Sequence, residues 1–298
     1  MLRSVIIGLI GDLEGDRDWA VSVLRTLGER GDVNVACQLG DLRFGMGPDP
    51  EGDLAAIESV CAEFGLRLLC VNGNHENWAR LDQLWDEPRW QDENGSHNPI
   101  DVSDHVTLLP RAHRWEMGGR SFVALGGAPS VNRLRLTEGI DWWPSEVIQE
   151  KHVETTIARG HAVVMLTHDS PGPPYCTEPI ANVIQGNPWG WPDSILAYAQ
   201  EGIDKVTRAV VGVKPLLACS RPLPCRWSGR RPVPGLHTRD DDLVLGREPG
   251  PGQRPIAGPR HAHRRDSGGQ PITRCLTLSN PREATGARPK RLPQLIGS

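Results

Sequence analysis

Residues 66–76 read Leu66-Arg67-Leu68-Leu69-Cys70-Val71-Asn72-Gly73-Asn74-His75-Glu76. The first six make a short, mostly apolar run of the length and composition of a buried strand. The rest are turn formers and polar residues able to bind a cation. The same design occurs twice upstream: residues 4–10 are nearly continuously apolar and end at Gly11-Asp12, and residues 33–39 end at Gly40-Asp41. Between these runs lie two stretches of helical period. Over 17–29 the residues Ala20, Val23, Leu24 and Leu27 share a face behind an Asp16 cap, and Leu54, Ile57, Val60, Cys61 and Phe64 share another. Strands alternating with amphipathic helices predict an α/β domain whose first strands pair in parallel.

Downstream, residues 106–109, 114–117 and 121–125 read as shorter strands, the last two joined in a hairpin across Gly118-Gly119. Pro144 opens a predicted helix reaching about Ala158, and 162–167 is another buried strand, followed by His168-Asp169. Two more helices are expected near 194–200 and 203–210, and a last core strand begins at 214–218.

The chain has 298 residues, 38% of them hydrophobic and 23% charged, with a net charge of −4. Those figures exclude a wholly disordered chain and a strongly basic nucleic-acid binder. They average two unlike parts. Residues 1–218 carry 18 Lys+Arg against 31 Asp+Glu, whereas 219–298 carry 15 against 6, together with 12 of the 26 prolines. Residues 1–218 are therefore expected to be the folded domain, and 219–298 a basic, largely unstructured tail that buries too little apolar surface to offset its ordering entropy. Seven cysteines without a C-x-x-C pair indicate a reducing, cytoplasmic setting. The opening apolar run is too short for a signal peptide, no stretch approaches a membrane span, and Arg outnumbers Lys 29 to 4, as in a GC-rich bacterium.

Asp12, Asp41, Asn74-His75 and His168 each follow a predicted strand. The carboxyl ends of parallel strands share one edge, so these residues can converge although distant in sequence. Gly-Asp occurs five times (at 12, 16, 32, 41 and 53), but only at 12 and 41 does it terminate an apolar strand. The set, with Gly73-Asn74-His75-Glu76, Gly40-Asp41 and Thr167-His168-Asp169, resembles the calcineurin-like metallophosphoesterases, in a bacterial branch suggested by Ala124-Leu125-Gly126-Gly127 and Trp142-Trp143-Pro144. The resemblance covers about residues 4–218. It implies a four-layer α-β-β-α sandwich with two divalent ions (Mn, Fe, Zn or Mg) at the strand ends and hydrolysis of phosphate mono- or diesters. By that resemblance Asp41 bridges the ions, Asp12 binds the first, Asn74 and His168 bind the second, and His75 serves the leaving group. Two ions about 3.5–4 Å apart lower the pKa of a bridging water and clamp phosphoryl oxygens.

The chain departs from the family pattern at two places. Asp12-Leu13-Glu14 stands where Asp-x-His is usual, so Glu14 becomes a candidate ligand; and the closing Gly-His-x-His is replaced by Cys219-Ser220-Arg221-Pro222. Codons for 219–225 read one nucleotide later can encode Val-His-Gly-His-Tyr-His, which suggests a lost reading frame at about residue 219. Loss of those histidines makes a catalytically impaired relative the alternative reading. A nucleic acid enters only as substrate or through the basic tail, and no membrane partner is expected.

The remaining candidates have plainer readings. Arg43 is carried as a substrate-binding residue beside Asn74 and His75, while Asn132 and Arg133 are further phosphate candidates. Glu76 is expected to brace the following helix through Arg80. His97, His105, His113, His152 and His161 read as surface or hydrogen-bonded histidines, and His261-Ala262-His263 has no strand before it. Most tryptophans read as packing, with Trp189-Gly190-Trp191 a candidate cleft wall.

Overall fold

The computed structural model describes residues 5–221 and, beyond them, three short strands. The chain runs β1 (Val5–Ile10), α1 (Arg17–Glu29), β2 (Val33–Gln38), α2 (Pro50–Phe64), β3 (Arg67–Val71), α3 (Trp78–Asp86), β4 (Ile100–Asp101), β5 (Val106–Leu109), β6 (Arg114–Met117), β7 (Arg120–Leu125), α4 (Glu150–Ala158), β8 (Val164–Thr167), α5 (Glu178–Gly186), α6 (Asp193–Val213) and β9 (Leu217–Cys219). The outlying strands are β10 (Pro224–Arg226), β11 (Leu236–Thr238) and β12 (Arg274–Leu278).

Two sheets stack face to face, in the orders β11-β12-β1-β2-β3-β5-β4 and β10-β9-β8-β7-β6. Strands β1, β2, β3 and β5 are mutually parallel, as are β7, β8 and β9. Ile7, Leu9, Cys37, Leu39 and Val71 of the first sheet meet Phe122, Ala124, Val164, Leu166 and Leu217 of the second in the middle of the molecule. The outer face of the first sheet is covered by α1, α2 and α3 through Leu24, Leu27, Val60, Cys61 and Leu81. The outer face of the second is covered by α4 and α6 through Val153, Val206, Ala209 and Val213. The expected α-β-β-α sandwich is therefore present. Burial on both faces explains why these strands read as unbroken apolar runs rather than as alternating ones.

Local chemistry sets the element ends. Asp16 caps α1 by accepting the Trp19 N–H at 3.0 Å, and Gly65 closes α2 in the left-handed conformation. Two expectations are corrected. Residues 144–158 are not one helix: Pro144–Glu146 form a 3₁₀ turn, and α4 starts only at Glu150, where Gln149 and His152 make a reciprocal cap. The two helices expected near 194–210 are one, α6, because Gly202 lies inside it, packed against Pro129 and Asp169 where a Cβ would collide. Helix α3 is the one expected after Glu76, and α5 is a further helix that the sequence pattern did not show.

The expectation that 219–298 is largely unstructured falls mostly outside the described residues, as does His261-Ala262-His263. Within that segment β12 pairs antiparallel with β1, β11 with β12, and β10 with β9, so both sheets extend beyond residue 218. Among the described residues no helix is long and apolar enough to cross a membrane, and Cys37, Cys61, Cys70 and Cys176 are free thiols.

Candidate metal centre at the strand ends

The segments leaving β1, β2, β3 and β8 meet at one edge and bring Asp12, Glu14, Asp41, Asn74, His75 and His168 together. Ligand atoms of Asp12, Asp41 and His168 lie within 4.8 Å of one another, and so do those of Glu14, Asp41 and His75. Close approach depends on two glycines. A Cβ at Gly40, itself at φ +107°, would run into the His168 ring, and one at Gly73 would strike Asp41. Glu14 and Asp41 hold left-handed backbone, at φ 52° and 59°, which ordinary side chains adopt at a cost of about 1–3 kcal/mol. The Glu14 N–H bond to the Asp41 carbonyl, 2.9 Å, ties the two residues together.

Asp41, fully buried, is the hub. Its Oδ1 accepts the His75 backbone N–H at 2.9 Å and lies 3.3 Å from His168 Nε2. His168 Nδ1 contacts the Leu39 carbonyl at 2.7 Å; a carbonyl only accepts, so Nδ1 carries the proton. Burial keeps the imidazole below its usual value and therefore neutral, leaving an Nε2 lone pair directed at Asp41 Oδ1 and, at 3.0 Å, at Asn74 Oδ1. The amide orientation is set from behind. Ser130 donates its hydroxyl to Glu146 at 2.7 Å and so accepts from Asn74 Nδ2 at 3.0 Å, turning Oδ1 toward the site. Three acceptors thus converge with no proton between them, and buried Asp12 Oδ1 has no hydrogen-bond partner. Such a set is mutually repulsive without a cation, and carboxylate, amide oxygen and imidazole suit a divalent metal.

The electrostatics agree. Burial, opposed by Arg221 and reinforced by Asp41 and Glu14, pushes the Asp12 carboxyl up to about 8. Burial also works against the Asp41 charge, but the neighbouring His168 first, then His75 and Arg221, hold that carboxyl below the usual range. Burial opposes the His75 charge as well; its 3.0 Å bond to Glu14 Oε2 and the nearby Asp41 outweigh it and lift the imidazole to about 9.

Sequence reasoning missed the contributions of four residues. Glu76 does not work through Arg80: its buried carboxylate accepts the N–H groups of Leu42 at 3.0 Å, Phe44 at 2.7 Å and Gly73 at 3.1 Å, pinning the segments after β2 and β3 together, while Arg80 lies over the Phe44 ring. Glu146 and Ser130 orient Asn74 from 56 or more residues away, a link no spacing rule reveals. Arg221, placed by β9 where the family pattern has its closing Gly-His-x-His, reaches Asp12, Asp41 and Glu14.

The other candidates make contacts of their own. Arg43 packs beside Gly15, and Arg133 stacks on Tyr198. His97 and His113 stack on tryptophans, His105 pairs with Glu58, and His152 belongs to the α4 cap. Trp189 and Trp191 line a cavity of about 470 Å³ with Pro129, Val131, Asp169 and Ile203, beginning one residue beyond His168.

A family profile described as calcineurin-like phosphoesterase matches residues 6–195. Among solved structures the chain is similar to TT1561 of Thermus thermophilus, with 15% identity, 73% of this chain and 81% of that one covered, and a TM-score of 0.40. It is also similar to a hypothetical protein of the same organism, with 17% identity, coverage of 56% and 57%, and a TM-score of 0.29. No curated protein matches it.

Proposed function

Since the chain belongs to the calcineurin-like phosphoesterase family, we propose that it hydrolyses phosphate mono- or diesters with divalent ions held at the strand ends. The observation that carries this reading is the convergence of Asp41 Oδ1, Asn74 Oδ1 and the His168 Nε2 lone pair beside the unpartnered Asp12 Oδ1. In the two-ion form of the proposal Asp41 is shared, Asp12 and Glu14 serve one position, and Asn74 and His168 serve the other. Bound there, Mn, Fe, Zn or Mg would act as a Lewis acid on phosphoryl oxygens and make a water more acidic.

The chain's own groups would do the rest. His75 binds Glu14 through Nδ1 and is protonated at neutral pH, so its second N–H is free to be given to a leaving alkoxide. Asn74 and His75 line the position a phosphoryl group would take, with Arg43 on the neighbouring segment as an outer contact. We place the protein in a bacterial cytoplasm from its free cysteines and its arginine-rich composition.

Hydrolysis of p-nitrophenyl phosphate and its bis ester with added Mn²⁺, run beside His75→Ala, tests the reading. Metal-dependent turnover that falls in the variant supports it; no turnover and no metal uptake overturn it. The alternative, an impaired member of the family, is favoured by one observation, the placement of Arg221 on three candidate ligands.

A further inference from the structure

We propose that the Arg221 guanidinium occupies the cation position formed by Asp12, Glu14 and Asp41. On this view the chain takes one divalent ion, on the Asn74–His168 side, and admits a second only when Arg221 is removed. The inference rests on the metal-dependent reading above and adds to it how many ions are held and what excludes the other.

The guanidinium addresses each carboxylate with a different nitrogen. Nε pairs with Asp12 Oδ2, Nη1 lies 3.2 Å from Asp41 Oδ2, and Nη2 lies 3.9 Å from Glu14 Oε1. A guanidinium stays charged at any accessible pH and presents donors in a rigid plane, so it fills a pocket of acceptors as a fixed cation. The division of oxygens is complementary. Arg221 takes the Oδ2 atoms of Asp12 and Asp41, while Oδ1 of Asp41 faces His168 and Oδ1 of Asp12 is unpartnered. The Arg221 side therefore holds a fixed cation supplied by the chain, whereas the acceptors around Asn74 and His168 have none. An ion entering the Arg221 side would compete for the same oxygens against a positive charge in van der Waals contact.

The arginine is also built in rather than draped over the site. Its backbone N–H donates to the His168 carbonyl at 3.2 Å, and the preceding Ser220 is buried. The parallel register of β9 on β8, Leu166 opposite Cys219, delivers residue 221 beside His168. The side chain remains 41% exposed, so it can be removed without opening the core.

The test is titration of the full chain with Mn²⁺ alone, by calorimetry and by electron paramagnetic resonance, for the wild type, Arg221→Ala and Arg221→Gln, with each melting temperature recorded. The expected result is one Mn²⁺ per wild-type chain with an isolated-ion spectrum, and two per variant chain with an exchange-coupled spectrum. Two ions of similar affinity in the wild type would overturn the inference without any variant. So would a single ion in both folded variants, which leaves the metal-dependent reading standing. Absence of Mn²⁺ uptake by all three proteins would overturn both.

Discussion

Asp41 stands between two unlike half-sites. On one side Asn74 and His168 are held by groups that are themselves buried and bonded: Leu39 fixes the imidazole, and Ser130 with Glu146 fixes the amide. On the other side Asp12 and Glu14 share the Arg221 guanidinium, and Glu14 is 37% exposed. The first half-site is shaped before anything binds, because its supports come from the sheets and the turn before α4. The second is shaped by a long side chain that supplies a charge. Preorganised acceptors attract a cation, and acceptors already neutralised do not; this difference, rather than ligand count, distinguishes the two halves.

The comparison can be broken at several points. The largest effect is expected from His75→Ala, which removes the proposed proton donor adjoining both halves: kcat for p-nitrophenyl phosphate should fall by about 10²–10⁴-fold with Mn²⁺ stoichiometry unchanged in calorimetry. Ser130→Ala should act on the ordered half alone, freeing the Asn74 amide and weakening Mn²⁺ affinity by about 10–100-fold; an equal loss in Ser130→Ala and in Arg43→Ala would erase the distinction. Acid should loosen the ordered half from behind. Burial, aided by Arg111 and Lys151, lowers His152 to about 3, and its Nδ1 accepts the Gln149 N–H at the start of α4. A depressed imidazole leaves its stability contribution intact above about pH 6.5 and loses it as pH falls toward 3, with a slope of at most about 1.4 kcal/mol per pH unit. Denaturant melts at pH 7 and pH 5 should show that decline, reduced in His152→Gln. The smallest effect is expected far from both halves. Replacing the exposed pair Arg25–Glu63, 2.8 Å apart, with alanines should leave the melting temperature and Mn²⁺ binding nearly unchanged, because solvent screens the pair.

How much of this was legible differs by element. Helix α1 could be read because its buried face recurs at 3.6 residues and Asp16 signals its start. The division of 144–158 was hidden, since a proline opens a 3₁₀ turn as readily as a helix and the cap at Gln149 depends on His152. The continuity of α6 was hidden because an interior glycine lowers helix propensity, while the close packing that calls for Gly202 is tertiary. At the site, Asp12, Asp41, Asn74, His75 and His168 were accessible because each stands after a strand, and Glu14 because it takes the place of the histidine in the family's Asp-x-His. Glu146, Ser130 and Arg221 were not, because a hydrogen-bonded support or a rival cation leaves no mark in local spacing.

Period and punctuation alone determined that parallel strands would bring acidic, amide and imidazole groups to one edge, and a break in composition marked residue 219 as the place where the pattern changes. Only the tertiary structure decided which acceptors face one another without a proton and which are already matched by a charge. That decision rests on the register of β9 against β8 and on the tautomer set by the Leu39 carbonyl. Both are properties of contacts more than 50 residues apart in the chain, where short-range sequence patterns carry no information.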